Sequence, residues 1–315
     1  MSCPYCNSTQ YSLLYNTYPF NNTDYSFAKC KQCECIYLSP IPDVETLNLA
    51  YSSQYYGEGD SKFIKPVEKV IGLFLRQRAS LVHSLLKGKG SVLDMGCGNG
   101  KFLNHVSQMG DYKISGIERP GNSANRAKSI DNLTLYEGEI DHIEIDNKFD
   151  AITLFHVFEH LPNPSIILAK IDDLLKPGGF VVITVPNIGS IQSAMFKGYW
   201  FHLDIPRHLF FFRPKRFIKL MNERAYKLVG QSSFSLEHSI WGFIQSVLNV
   251  VFPSRDLYFE ILKGNKALLK RNFLLFIIQS ILIIFLLPFA VIEYVFSGII
   301  GRGVHKQFVF KKEKE

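Results

Sequence analysis

Beyond residue 35 the chain has a single cysteine, Cys97; the other five, Cys3, Cys6, Cys30, Cys33 and Cys35, crowd the N-terminus. The bulk of the protein therefore has no disulfide framework to lean on. An apolar export signal is also missing. The chain opens MSCPYCNSTQ, which is polar, so its thiols are expected to stay reduced in a cytoplasmic setting. No internal repeat and no low-complexity run occurs, which excludes solenoids and repeat arrays. A basic helix and an aromatic RNA-binding strand are lacking too, and the 35 Lys and Arg residues are scattered. That argues against a nucleic-acid partner, although a net charge of +7 alone selects no partner and also fits a merely solvated surface. Finally, Phe273 to Ile292 contains no charged residue.

With 47% hydrophobic residues in 315, the chain can build a core and hold two domains or one domain with insertions. CPYC and CKQC place Cys3, Cys6, Cys30 and Cys33 in two knuckles suited to tetrahedral zinc. A segment of this size cannot stabilise itself by burial, and a closed four-thiolate metal substitutes for the missing core. Unrelated free thiols are the alternative, and Cys35 is a spare thiol or a substitute ligand.

From Ser91 the pattern alternates. SVLD reads as a buried strand, MGCGNG as a Gly-rich turn, and KFLNHVSQMG as an amphipathic helix. YKISGIE, FDAITLF and GGFVVITVPN are further strands, with a helical stretch before the last. This predicts a Rossmann-like, doubly wound α/β sheet with ligands beyond the carboxyl ends of its strands. Gly96 and Gly98 let the backbone bend close to a ligand, though a bare turn fits equally. Asp94 ends the strand before them, and Glu118 ends the next, where a carboxylate can accept both ribose hydroxyls. An acid at the first position suits a positive amino group better than a pyrophosphate, which favours S-adenosylmethionine over NAD.

VLDMGCGNGKFL, GIE, FDAITLFHVFEHLPNPSIIL and LKPGGFVVITVPN, with Pro206-Arg207-His208-Leu209 later, occur in order. Together they resemble a class I S-adenosylmethionine-dependent methyltransferase, of the bacterial branch (methyltransferase domain type 23-like) that begins with a zinc ribbon. The resemblance implies that Asp94, Gly96 and Gly98 hold the methionine end of the cofactor and Glu118 the ribose. It puts Gly138, Glu139 and Ile140 beside the adenine, with Glu139 departing from a frequent Asp. Phe155 and His156 would face the methyl-transfer region. YSSQYY, from Tyr51 to Tyr56, resembles the lid of that family.

HVFEH by itself fits the H-x-x-E-H signature of a zinc peptidase class. After a fourth strand of this kind of sheet it lies instead where an acceptor meets the sulfonium. An oxygen nucleophile must lose a proton, and histidine is suited to take it. His160 or His156 is the expected base, with Glu159 orienting it or binding substrate. A divalent metal on His156, Glu159 and His160 is an alternative, because such an E-H pair is linked to metal dependence in the ubiquinone-pathway O-methyltransferases that this stretch resembles. Glu159 and His160 simply capping or packing the next helix is another. In the YWFHLDIPRH stretch, Trp200, Arg207 and His208 are candidates for binding a polyhydroxylated or anionic acceptor, or the aromatics only pack the loop.

RAYKLVGQSSFSL and GVHKQFVFKK read as the last two, antiparallel strands, with the apolar segment inserted between them. Both ends of an insert between paired strands must lie on one side of any membrane. With Pro288 as a break and Lys263, Lys266, Lys270, Arg271, Arg302 and Lys306 flanking, a re-entrant or interfacial hairpin on the cytoplasmic leaflet is expected. A dimer interface or a buried cap is the alternative, and a homo-oligomer is possible. The expected organisation is a zinc ribbon at 1–40, a helical lid or linker at 41–90, a methyltransferase core at 91–236, an apolar helical insert at 237–302 and a last strand with tail at 303–315. The expected activity is O-methylation of a small or lipid-linked acceptor, a saccharide or isoprenoid intermediate. Sugar C-methylation, RNA modification and a non-catalytic cofactor-binding scaffold are the other readings.

Overall fold

The computed structural model describes residues 2–51 and 65–314, and of residues 65–70 and Glu237 only the backbone. Three short strands open the chain: β1 (Tyr11–Asn16), β2 (Ser26–Cys30) and β3 (Ile36–Ser39). Helices α1 (Val44–Ala50) and α2 (Lys65–Leu86) lead to β4 (Lys89–Met95) and α3 (Lys101–Ser107). There follow β5 (Asp111–Glu118), α4 (Asn122–Ala127), β6 (Leu133–Glu137), β7 (Phe149–Phe155), α5 (Pro164–Leu174) and β8 (Leu175–Pro186). Next come α6 (Ile191–Phe196), the two-residue β9 (Phe210–Phe211), α7 (Pro214–Asn222) and β10 (Tyr226–Ser232). The insert holds α8 (Leu236–Val251), α9 (Leu257–Leu262), α10 (Lys266–Arg271) and α11 (Phe273–Ile299), and β11 (His305–Lys312) closes the chain.

The main sheet has seven strands in the order β10-β11-β8-β7-β4-β5-β6. Its pairs from β8 to β6 are parallel, and β11 runs antiparallel to both neighbours. Chain order reverses between β4 and β7, which places the switch-point crevice at the ends of these two strands. β7 forms because Phe149, Ala151, Ile152, Thr153 and Leu154 are buried from both sides, as central parallel strands require.

The ribbon strands β1, β2 and β3 form a second sheet that β9 extends, with Ile36 opposite Phe211 and Tyr37 opposite Phe210. Phe210 meets Phe158 edge-on at 5.1 Å, and Phe158 and Phe308 both lie against Phe217. Aromatic pairs of this kind add about 0.5–1.5 kcal/mol each beyond burial. They fasten the ribbon, the turn after β7 and β11 to one another.

In the insert, α11 packs on α8 and is apolar on both faces. Ala290 with Leu282, Ile283 and Leu286 meets the second core beside the buried Gln279, Glu293, Ser297 and Gly298, while Leu274, Ile284, Phe285, Phe289, Ile292 and Ile299 are exposed. Pro288 lies inside an unbroken helix of 27 residues, so the expected break at Pro288 is corrected. The turn-back is made by α9 and α10 instead. Lys306 is also corrected as a flanking surface charge. It is 7% exposed, with its ammonium on Ser233 Oγ at 2.6 Å.

Candidate active site

Asp94 ends β4 and is 4% exposed, its carboxylate accepting from the Thr153 hydroxyl at 2.6 Å. Burial pushes its pKa up to about 7, partly offset by Thr153 and by the positive charge of Arg78. The following turn needs its glycines for different reasons. A Cβ on Gly96 would lie 2.6 Å from Val157, so this backbone passes hard against the turn after β7. Gly98, at φ +57, would meet nothing within 4 Å, so the backbone there faces open space. Its N–H donates to Glu118 Oε2 at 2.7 Å, which fixes the carboxylate ending β5 beside the turn. Burial raises the Glu118 pKa against that hydrogen bond.

Two carboxylates thus flank an open, glycine-lined backbone at the switch point, and this fits a cofactor with a cationic methionine end and a ribose. Cofactor affinity is expected to weaken about tenfold per unit as pH falls below 7, because a cationic ligand needs Asp94 ionised. Above that pH the profile should level off until the ligand's own α-amino group deprotonates at about pH 8, and Asp94→Asn should remove the acid-side slope; titration calorimetry across the range checks both. The other cofactor candidates sit differently. Ile140 is buried in the core with Met95 and Ile117. Glu139 is exposed and paired with Arg119 at 2.9 Å, so its side chain is engaged at the surface. Phe155 packs edge-on against Phe102 at 5.0 Å, with the Arg78 guanidinium 5.0 Å from its ring. Of the lid stretch, residues 52–56 lie outside the described residues. Tyr51 sits beside the site, its hydroxyl 3.0 Å from His160 Nδ1.

The HVFEH turn is not a long helix. His156 has φ +57, and Phe158–His160 form one 3₁₀ turn before α5 begins at Pro164. Neither Glu159 nor His160 caps α5. Glu159 is 1% exposed, and neither carboxylate oxygen has a hydrogen-bond partner among the described residues. Its Oε1 lies 3.8 Å from both His156 Nδ1 and His208 Nε2, and burial raises its pKa to about 7. His160 Nδ1 meets the Arg207 carbonyl oxygen at 3.0 Å, and burial lowers its pKa to about 4, so it is neutral at pH 7.

Two substrate-binding expectations are corrected. Trp200 is wholly buried in a second core with Leu203, Phe211 and Phe243 and cannot meet a ligand. Arg207 is clamped by Asp204 through two hydrogen bonds and also reaches the Ala50 carbonyl, so its guanidinium is committed inside the protein. His208 is 6% exposed, with Nδ1 donating to the His202 carbonyl at 2.8 Å. It braces Glu159 instead of lining a cleft.

A cavity of about 410 Å³ opens beside the turn, lined by Arg78, His156, Thr184, Phe234, Tyr294 and His305 among others. Arg78, His238, His305 and His202 were not legible as site residues. Their positions in α2, α8, β11 and the 201–203 turn have no sequence spacing that links them to HVFEH.

In the ribbon, Cys3, Cys6, Cys30 and Cys33 bring their sulfurs within 4.8 Å of one another, with Cys3–Cys33 at 3.4 Å and Cys6–Cys30 at 3.6 Å. Tetrahedral zinc with Zn–S near 2.3 Å needs sulfurs about 3.8 Å apart, so these four thiols fit that ion. Cys35 is a buried fifth thiol against the quartet, its sulfur in contact with that of Cys3 and turned also to the Ile36 carbonyl at 3.9 Å.

A family model for a methyltransferase domain matches residues 70–231, half of the sequence, and the chain belongs to this family. The family and the seven-stranded topology define a class I S-adenosylmethionine-dependent methyltransferase. Among curated proteins it is similar to the ubiquinone biosynthesis O-methyltransferase of Nitrosococcus oceani, 32% identical over 41% of this chain and 55% of that protein. It is similar also to that of Neisseria meningitidis serogroup C, 30% identical over 33% of this chain and 47% of that protein. The chain thus spans about half the length of these curated relatives. Among solved structures, coclaurine N-methyltransferase bound to N-methylheliamine and SAH aligns over 86% of this chain and 82% of that one, with 18% identity and a TM-score of 0.46.

Proposed function

We propose that the protein transfers the methyl group of S-adenosylmethionine to an oxygen of a lipid-linked or small acceptor, an isoprenoid or saccharide intermediate, at the cytoplasmic face of a membrane. The observation that carries this is the cavity itself. It opens at the carboxyl ends of β7 and β8, and its far wall is Phe234, Leu236 and Tyr294 of the apolar insert. An acceptor bound there touches both the transfer site and the element that would meet lipid. The names of the ubiquinone biosynthesis relatives support an oxygen acceptor of this chemical kind.

When bound, the cofactor supplies an electrophilic methyl on a sulfonium. Asp94 meets its positive amino group, Glu118 its ribose hydroxyls, and the Gly96–Gly98 backbone lets it lie close. His160 is the base. Its Nδ1 is held at the Arg207 carbonyl, which leaves Nε2 with the lone pair that takes the acceptor proton. The Glu159 carboxylate, within 4.8 Å of that ring, stabilises the imidazolium that results. Most of the rate enhancement comes from holding acceptor and methyl in line. In the ribbon, zinc on Cys3, Cys6, Cys30 and Cys33 has a structural role.

The exposed apolar face of α11 is what supports membrane docking. Its helix is about 40 Å long at 1.5 Å per residue, against a hydrocarbon layer of roughly 30 Å. It packs along α8, which is itself part of the second core, and both ends of the insert return to one sheet, so it lies in the interface and does not span. Lys266, Lys270, Arg271 and Arg302 are exposed and supply charge for anionic headgroups, whereas Lys263 is paired with Glu260. The chain is expected to stay in carbonate-washed membranes and to leave them with detergent. Recovery entirely in the aqueous wash would end the membrane reading.

A further inference from the structure

Nine histidines occur in the chain, and six of them, His156, His160, His202, His208, His238 and His305, form one continuous cluster. Only His160 has been given a chemical role so far. We propose that His156, His238 and His305 form a binding site for one divalent transition-metal ion, with its open side toward the cavity. One ring nitrogen from each lies within 4.8 Å of the other two. The ring centroids are 4.6 Å apart for His156 and His238, 4.5 Å for His156 and His305, and 4.4 Å for His238 and His305. The three come from the end of β7, from α8 and from β11, so only the folded insert assembles them.

Three imidazoles suit zinc, iron, cobalt, nickel or copper, and three protein ligands leave a position open for another donor. The surroundings suit coordinated histidines as well. A ligating imidazole carries a proton on its other nitrogen and offers it to an oxygen. His156 Nδ1 lies 3.8 Å from Glu159 Oε1, and His305 Nδ1 lies 3.4 Å from Ser235 Oγ. Glu159 is 1% exposed with both oxygens lacking hydrogen bonds among the described residues. An N–H polarised by a metal is the donor such a carboxylate needs. The left-handed backbone at His156, φ +57, is uncommon for a residue other than glycine and turns this ring off β7 into the cluster.

This site differs from the Glu159, His160 and His208 group, which also lies within ligand range and contains the base. It differs too from the thiolate site of the ribbon. His156 and His305 line the cavity with Arg78, so the open side of the ion suits an oxygen donor of the acceptor. That last role rests on the transferase reading above; the metal site itself does not, and the test reads metal binding alone.

The full chain, given one equivalent of Zn2+ so that the thiolates are filled, is titrated with Co2+. One further equivalent should bind, with ligand-field absorption and without thiolate-to-cobalt charge transfer. His238→Ala and His305→Ala should each weaken that binding at least 100-fold, given that losing even an outer-shell partner costs about 10–100-fold. Zinc content and circular dichroism should stay unchanged. In case either variant misfolds, the cobalt form of the unaltered chain should show shifted exchangeable imidazole protons in its NMR spectrum. No second equivalent, undiminished Co2+ affinity in both variants, or no shifted imidazole protons would overturn the proposal.

Discussion

With zinc on the four ribbon thiols as proposed, its removal by a strong chelator is expected to unfold residues 3–39 and to lower methyl transfer with it. Zinc on four thiolates contributes about 10–16 kcal/mol of apparent binding energy near neutral pH, more than most domains have in total stability. The second effect follows from the hydrogen bonds that join the ribbon to the site. Leu38 N–H donates to the Leu209 carbonyl at 2.9 Å, and Leu209 N–H donates to the Glu159 carbonyl at 2.8 Å. β9 is a strand only because β3 pairs with it. When β3 melts, the 206–212 segment loses its partner, and His208 and Arg207 lose the frame that holds them at Glu159 and His160. The expected reading is a drop in kcat larger than any change in cofactor affinity, restored by adding Zn2+. Cys3→Ser and Cys33→Ser should reproduce it without restoration. A metal-free chain with full turnover would show the ribbon to be independent of the site.

His160→Ala is expected to lower kcat by about 10²- to 10⁴-fold, the usual contribution of a positioned base, with cofactor affinity nearly unchanged. The separation follows from position. Asp94, Gly98 and Glu118 lie at the ends of β4 and β5 and in the turn after β4, whereas His160 follows β7, with Tyr51 between it and Arg119 after β5. His160→Gln should be nearly as slow, since an amide keeps the hydrogen bond but accepts no proton. Turnover equal to the parent chain in both variants would remove His160 as the base.

The parallel sheet was legible because its strands are short apolar runs split by one glycine turn and by helical stretches, and FDAITLF matches β7 residue for residue. The cysteine quartet was legible because its two C-x-x-C pairs stand in the chain itself, and the fold brings their four sulfurs together. Trp200 and Arg207 misled because side-chain chemistry says what a residue can bind, not whether the fold has already used it. Asp204 and a second aromatic core had done so. Pro288 misled for a related reason. A proline costs one backbone hydrogen bond, and a helix can tolerate that loss without ending. Of the histidine cluster, His156, His160 and His208 were legible, but His238 and His305 were hidden, since α8 and β11 are brought to the end of β7 by tertiary packing.

The proposed activity depends most on Asp94, the glycine turn and Glu118 cradling a sulfonium donor. Titration calorimetry of S-adenosylmethionine into the intact, zinc-loaded chain tests this directly. Saturable binding is expected at one site per chain. Loss of a buried charge partner costs about 2–5 kcal/mol, so Asp94→Asn should weaken binding by at least about 30-fold. No heat from either the donor or its demethylated product, or equal affinity in the variant, would contradict it.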